Sequence, residues 1–185
     1  MPQDPTDSKR SARPFARAKG EWGRAEHPES AEAARRAALL LLNRRDYASQ
    51  ELTHKLAAKG YRAEAIEQAL EALRAERLLD DRRFLESFIR SHAQRGQGPA
   101  RIRRELSALG LDAAAIEGAL TEGPDFGHLC RSVRERKFGR RLPASWAEKS
   151  RQARFLQYRR FSADHIRLAL GQNPDWADSE IDLNE

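Results

Sequence analysis

The chain has 185 residues, 34 Lys and Arg against 28 Asp and Glu, a formal charge of +6 and a single cysteine, Cys130. An intramolecular disulfide is excluded, and a reducing, intracellular compartment fits. The longest apolar run, residues 37–42, is too short for a membrane span or a signal-peptide core, so a soluble, cytoplasmic protein is expected.

Residues 1–29 hold six bases and five acids among Pro, Gly and Ser, with few aliphatics. Such a stretch buries too little apolar surface to offset chain entropy and reads as a disordered leader. Residues 30–79 form a first unit. Its opening helix, over 32–43, carries Ala34, Ala38, Leu41 and Leu42 at helical spacing and ends on Arg44 and Arg45, which complement the helix dipole. Asp46 or Ser49 can cap the second helix, whose apolar face is Leu52, Leu56 and Ala57 and whose bases are Lys55 and Lys59. Gly60 suits a C′ position at positive φ, and Tyr61 plugs the entry to the third helix. Ala65, Ile66, Ala69, Leu70 and Leu73 are that helix's buried stripe, and Arg62 is a poor N-cap.

Residues 80–122 form the second unit, introduced by LLDDRRF. Asp80 is expected to cap the helix over 81–95, with Asp81 at its positive end, and no third carboxylate or histidine stands nearby to make a catalytic site. Phe84, Leu85, Phe88 and Ile89 face the core. RGQGPARIRREL follows, a tight connection and then Pro99 in a first helical turn. The loop lacks the lysine and hydroxyl of a P-loop, so nucleotide binding is not expected. Arg101 and Arg104 point away from Ile102, Leu106 and Leu109, as a phosphate- or acid-binding face or as a solvated face shared with Glu105.

The third unit, 123–171, opens with a helix over 125–138 bearing Phe126, Leu129, Val133 and Phe138. From 122 to 171 there are twelve bases and five acids, densest in RSVRERKFGRR and SRQARFLQYRR. Such a field favours a polyanion or an acidic protein surface. Arginine interleaved with aromatics is also the pattern of a nucleic-acid groove with stacking platforms, although Phe138 and Phe155 read as core. Residues 172–185 close the chain as an acidic tail with five acids and no base.

The units repeat. An offset of fifty residues aligns Leu56, Leu106 and Leu156; Tyr61, Leu111 and Phe161; Ile66, Ile116 and Ile166; and Leu70, Leu120 and Leu170. With strand signals scarce, this predicts an all-α chain of three tandem three-helix repeats in an elongated body that can curve. The five histidines are scattered, and only His128 and Cys130 lie close, too few for a zinc site. No catalytic residue, cofactor or metal is expected.

In order, RRDYASQEL, LLDDRRF, RGQGPARIRREL and RFLQYRRF resemble the RecX regulators of the bacterial recombinase RecA, over residues 33–170. The resemblance implies tandem three-helix repeats and a non-enzymatic protein. It implies binding in the groove of the RecA filament on single-stranded DNA, hindering filament growth, ATP hydrolysis, strand exchange and repressor self-cleavage, with weak direct DNA binding in some members. Contacts are then expected at patch level from Arg44, Arg45, Arg95, Arg101, Arg103 and Arg104, with Lys55, Lys59, Arg131, Arg134, Lys137, Arg151 and Arg154 completing a basic face. A monomer without membrane contact is expected. The alternative reading is a helical module acting directly on DNA. Two positions depart from the pattern. Arg77 and Arg160 stand where the family has glycine, so the Arg160 turn either differs or holds arginine at positive φ.

Overall fold

The computed structural model describes residues 24–171, which hold nine α-helices and no strand. The first trio is α1 (Ala31–Leu42), α2 (Ser49–Ala58) and α3 (Ala63–Ala75). The second is α4 (Asp81–Gln94), α5 (Pro99–Ala108) and α6 (Ala113–Thr121), and the third is α7 (Phe126–Phe138), α8 (Trp146–Tyr158) and α9 (Ala163–Leu170). The principal helix–helix contacts all fall within a trio, with α1 on α3, α4 on α6 and α7 on α9. The expected all-α tandem architecture is therefore present.

Local chemistry sets the helix starts. Ser30 Oγ accepts from the Ala33 N–H, and Asp80, Asp112, Asp125, Ser145 and Ser162 each accept from an N–H three residues on. Such caps satisfy donors that the first helical turn leaves open. α3 begins without one, at Arg62. α2 is capped differently from the Asp46-or-Ser49 expectation. Ala48 is its N-cap residue, and the Ser49 N–H donates across the repeat boundary to Asp81 Oδ1 at 2.8 Å. The second aspartate of LLDDRRF thus ties the second trio to the first.

The fifty-residue repeat recurs as one turn made three times. The N–H groups of Tyr61, Leu111 and Phe161 reach back to the carbonyls of Leu56, Leu106 and Leu156, and those of Gly60, Gly110 and Arg160 to Ala57, Ser107 and Gln157. This is a Schellman closure, which needs a left-handed residue at C′. Gly60 and Gly110 meet that need with φ of 94° and 79°, and Arg160 takes the same geometry at 64°. The third turn therefore keeps the shape of the other two, with a side chain where glycine suits better. Arg77 closes α3 in the same way at φ 57°. A left-handed L-residue costs roughly 1–2 kcal/mol. Arg77→Gly and Arg160→Gly are each expected to raise unfolding free energy by about 0.5–1 kcal/mol in urea titrations, the gain reduced by glycine's greater freedom when unfolded.

Two apolar clusters fill the interior. The first trio's cluster is built on Ala38, Leu41, Leu52, Leu56, Leu70 and Leu73. The second runs without a break through the second and third trios, from Phe84 and Ile102 to Leu156 and Ile166, and takes in Ala48 from the first. The second and third trios also meet backbone to backbone. The Gly98 N–H donates to Arg159 O at 2.7 Å, and Arg159 Nη1 donates to the carbonyls of Arg95 and Gly96 at 3.0 and 3.3 Å. A Cβ at Gly98 would stand 2.2 Å from Arg160 O. The glycines of RGQGP therefore serve a close approach between repeats.

Residues 24–29, assigned to the leader, are joined to the first trio. The Ala25 N–H donates to Lys59 O, and the Arg62 N–H to Pro28 O. The expectations for residues 1–23 and for the acidic tail lie outside the described residues.

Candidate interaction surface

The bases divide into those matched by acids and those that are not. In the first trio, Arg35 pairs with Glu76, Arg36 with Glu32 and Arg45 with Glu51. Arg45 also lies 3.8 Å from the centre of the Tyr47 ring, and Lys55 Nζ lies 5.7 Å from it on partly buried ground. Arg44 is exposed, and Lys59 is half-buried, with burial drawing its pKa down. Arg44 and Lys59 each make further interactions.

The second trio continues the pattern. Arg101 bonds Glu105 at 2.8 Å, and Glu105 also reaches His92 Nδ1 at 3.1 Å. Arg103 grips Glu117 with two nitrogens, and that hydrogen bond holds the Glu117 carboxyl below the usual carboxylate range. Arg95 and Arg104 are exposed and have no acid partner among the described residues. The backbone contact between trios sets Arg95 beside the C-terminal end of α8.

Between residues 122 and 171 every acid is already engaged. Glu122 lies 3.9 Å from Arg82, Asp125 caps α7, and Glu135 stands beside Arg134 at 3.6 Å. Glu148 accepts from the Ala144 N–H at 2.9 Å, and Asp164 holds Arg167. Arg131, Arg136, Lys137, Arg140, Arg141, Arg154 and Arg160 are exposed and have no acid partner among the described residues. Among the described residues Arg151 has only the face of Phe138, 5.7 Å away, which joins α8 to the end of α7. Along α8, Arg151, Arg154 and Tyr158 share one outer face at helical spacing, and Tyr158 is 82% exposed. Trp146, at the start of α8, is 63% exposed. Phe138 and Phe155 are half-buried in an edge-to-face pair, so the core expectation holds for them in part.

Arg134 is a correction to the expected basic face. It is 1% exposed, and its guanidinium donates inward to Arg141 O at 3.0 Å and Arg140 O at 3.2 Å. It holds the loop between α7 and α8 instead of facing a partner. The signal was in the sequence: Phe126, Cys130 and Val133 form the buried stripe of α7, and residue 134 falls on it one step further. Cys130 lies on the same stripe, its thiol pushed up to about 12 by burial, so it is no nucleophile at neutral pH. Conversely, Arg136, Arg140 and Arg141 belong to the exposed set and are absent from the expected basic face, although RKFGRR contains all three; Arg160, noted above only for its turn, is exposed as well.

A groove of about 970 Å³ lies along α4 and α6 where they face the first trio, with Leu85, Ile89, Ala115 and Ala119 on its walls, Ser49, Gln50 and Arg74 opposite, and charged residues among its lining. Among the described residues, no three His, Cys, Asp or Glu side chains are grouped so as to hold a metal ion, and no helix is long and apolar enough to cross a membrane.

Family models of the RecX first, second and third three-helix domains match residues 34–73, 80–120 and 128–170. The chain belongs to the RecX family. Regulatory protein RecX of Halorhodospira halophila is 46% identical over 141 residues, 76% of this chain and 88% of the relative. Regulatory protein RecX of Pseudomonas fluorescens Pf-5 is 46% identical over 145 residues, 77% of this chain and 94% of the relative. The fold is similar to the crystal structure of RecX from Lactobacillus salivarius, with a TM-score of 0.66 at 21% identity over 76% of this chain and 94% of that one. A RecX regulatory role follows, carried on three RecX domains.

Proposed function

We propose that this chain binds the RecA filament on single-stranded DNA and restrains it, slowing ATP hydrolysis, strand exchange and the filament's coprotease function. The observation that carries this reading is the uncompensated charge of the third trio. The five acids of residues 122–171 are spent on caps, on the chain's own arginines and on a loop, while seven exposed bases of the third trio have no acid partner among the described residues. A surface of this kind seeks a partner that brings negative charge, and a nucleoprotein polymer offers phosphate and acidic protein together. Three bodies in series can touch successive subunits, and contacts to neighbouring subunits multiply through effective concentration. Holding subunits together then opposes the rearrangement that hydrolysis and duplex entry require. RecX family membership supports the choice of RecA as the polymer. The regulatory role requires no chemistry from the chain itself.

The test is RecA ATPase activity on single-stranded DNA with this protein added below stoichiometry. The rate is expected to fall in proportion to added protein at low salt and to recover as salt screens the contact. An unchanged rate at saturating protein contradicts the proposal. The second reading, a module acting on DNA alone, has the exposed Tyr158 beside Arg151 and Arg154 in its favour, as a surface on which a base could stack. Tighter binding to bare than to RecA-coated DNA would select it.

A further inference from the structure

The family-model matches end at residue 170, and the most acidic stretch of the chain begins just beyond, with Asp175, Asp178, Glu180, Asp182 and Glu185 and no base. We propose that residues 172–185 dock intramolecularly on the basic surface formed by the α7–α8 loop and α8, and compete there with the external polyanion. The proposal rests on the unpaired charge of that surface and is independent of which polymer is the partner.

Three observations support it. The first is the exit point. Gly171 ends α9 at φ 80°, and its Cβ position lies 3.1 Å from the Leu142 side chain, so the chain leaves the third trio directly at the α7–α8 loop. That loop carries Arg140 and Arg141, whose carbonyls are held by buried Arg134 and whose side chains are exposed without an acid partner. The second is charge. Five acids with no base meet a surface whose own acids are all engaged, and an attached segment is present at an effective concentration on the order of millimolar. Reach is not limiting, since fourteen residues extend up to about 48 Å and α8, at thirteen residues, is only about 20 Å long. The third is apolar surface. Leu142 is exposed on the path, and the segment brings Trp176, Ile181 and Leu183, interleaved with its acids. Burial of such side chains adds a salt-independent contribution that charge alone lacks.

Trp176 makes the contact measurable in the full chain. Trp22→Phe and Trp146→Phe leave it the one tryptophan. At low salt its emission is expected to be blue-shifted and protected from acrylamide. It should move to the solvent-exposed value in 0.5 M NaCl, on addition of oligodeoxythymidylate, and in the variant carrying Arg140→Glu, Arg141→Glu, Arg151→Glu and Arg154→Glu. Circular dichroism checks that this variant keeps its helices. A chain ending at Gly171 is expected to bind the same oligonucleotide roughly five- to tenfold more tightly at low salt. Emission that ignores salt, oligonucleotide and arginine reversal overturns the proposal. So does emission that responds to salt but not to arginine reversal, since the segment then docks elsewhere. Tighter binding by the shortened chain with Trp176 fully exposed throughout also overturns it, because net charge alone then explains the change.

Discussion

Gly98→Ala is expected to lower unfolding free energy by about 3 kcal/mol in urea titrations, more than any single surface arginine substitution. The added methyl would stand 2.2 Å from Arg160 O and 2.4 Å from Phe161 N, and neither backbone can yield without breaking the Gly98-to-Arg159 hydrogen bond. The damage falls on the junction of the second and third trios, which share one apolar cluster. Gly118→Ala is the matched control. Nothing lies within 4 Å of a Cβ there, and the site is inside α6, so alanine should stabilise by up to about 1 kcal/mol. A loss at Gly118 equal to that at Gly98 would show that the close approach does not set the cost at Gly98.

Arg134→Met is expected to cost about 2–3 kcal/mol and to raise hydrogen exchange in residues 139–145. Methionine fills much of the volume but leaves the carbonyls of Arg140 and Arg141 without their donor. Arg134→Lys should rescue only in part, because a compact ammonium replaces a planar fork reaching two acceptors. Full rescue by lysine would mean that charge alone, without the fork, holds the loop.

Much of the fold was legible because it is local. Caps at Asp80, Asp112 and Ser162, the stripe from Ala65 to Leu73, and the glycine turns at 60 and 110 each depend on residues a few positions apart. The fifty-residue offset then reported the trios. Charge pairing was not legible in this way. Arg35 meets Glu76 forty-one residues away, and Arg103 meets Glu117 fourteen away, so packing decides which arginines are matched. Gly98 looked like a loop residue because its neighbours at 159–161 come from another repeat. Arg134 was hidden in a run of bases, where composition suggests surface and only the stripe of α7 reveals burial.

The most direct measurement of the central claim, that unmatched bases and not total bases engage the filament, compares two triple variants of equal charge. Arg131→Gln, Arg141→Gln and Arg154→Gln remove bases without an acid partner; Arg45→Gln, Arg101→Gln and Arg103→Gln remove bases already paired with Glu51, Glu105 and Glu117. Binding to RecA-coated single-stranded DNA is expected to weaken roughly tenfold or more for the first set, with a shallower salt dependence, and less than about threefold for the second. Equal losses, or the larger loss in the paired set, would contradict the account.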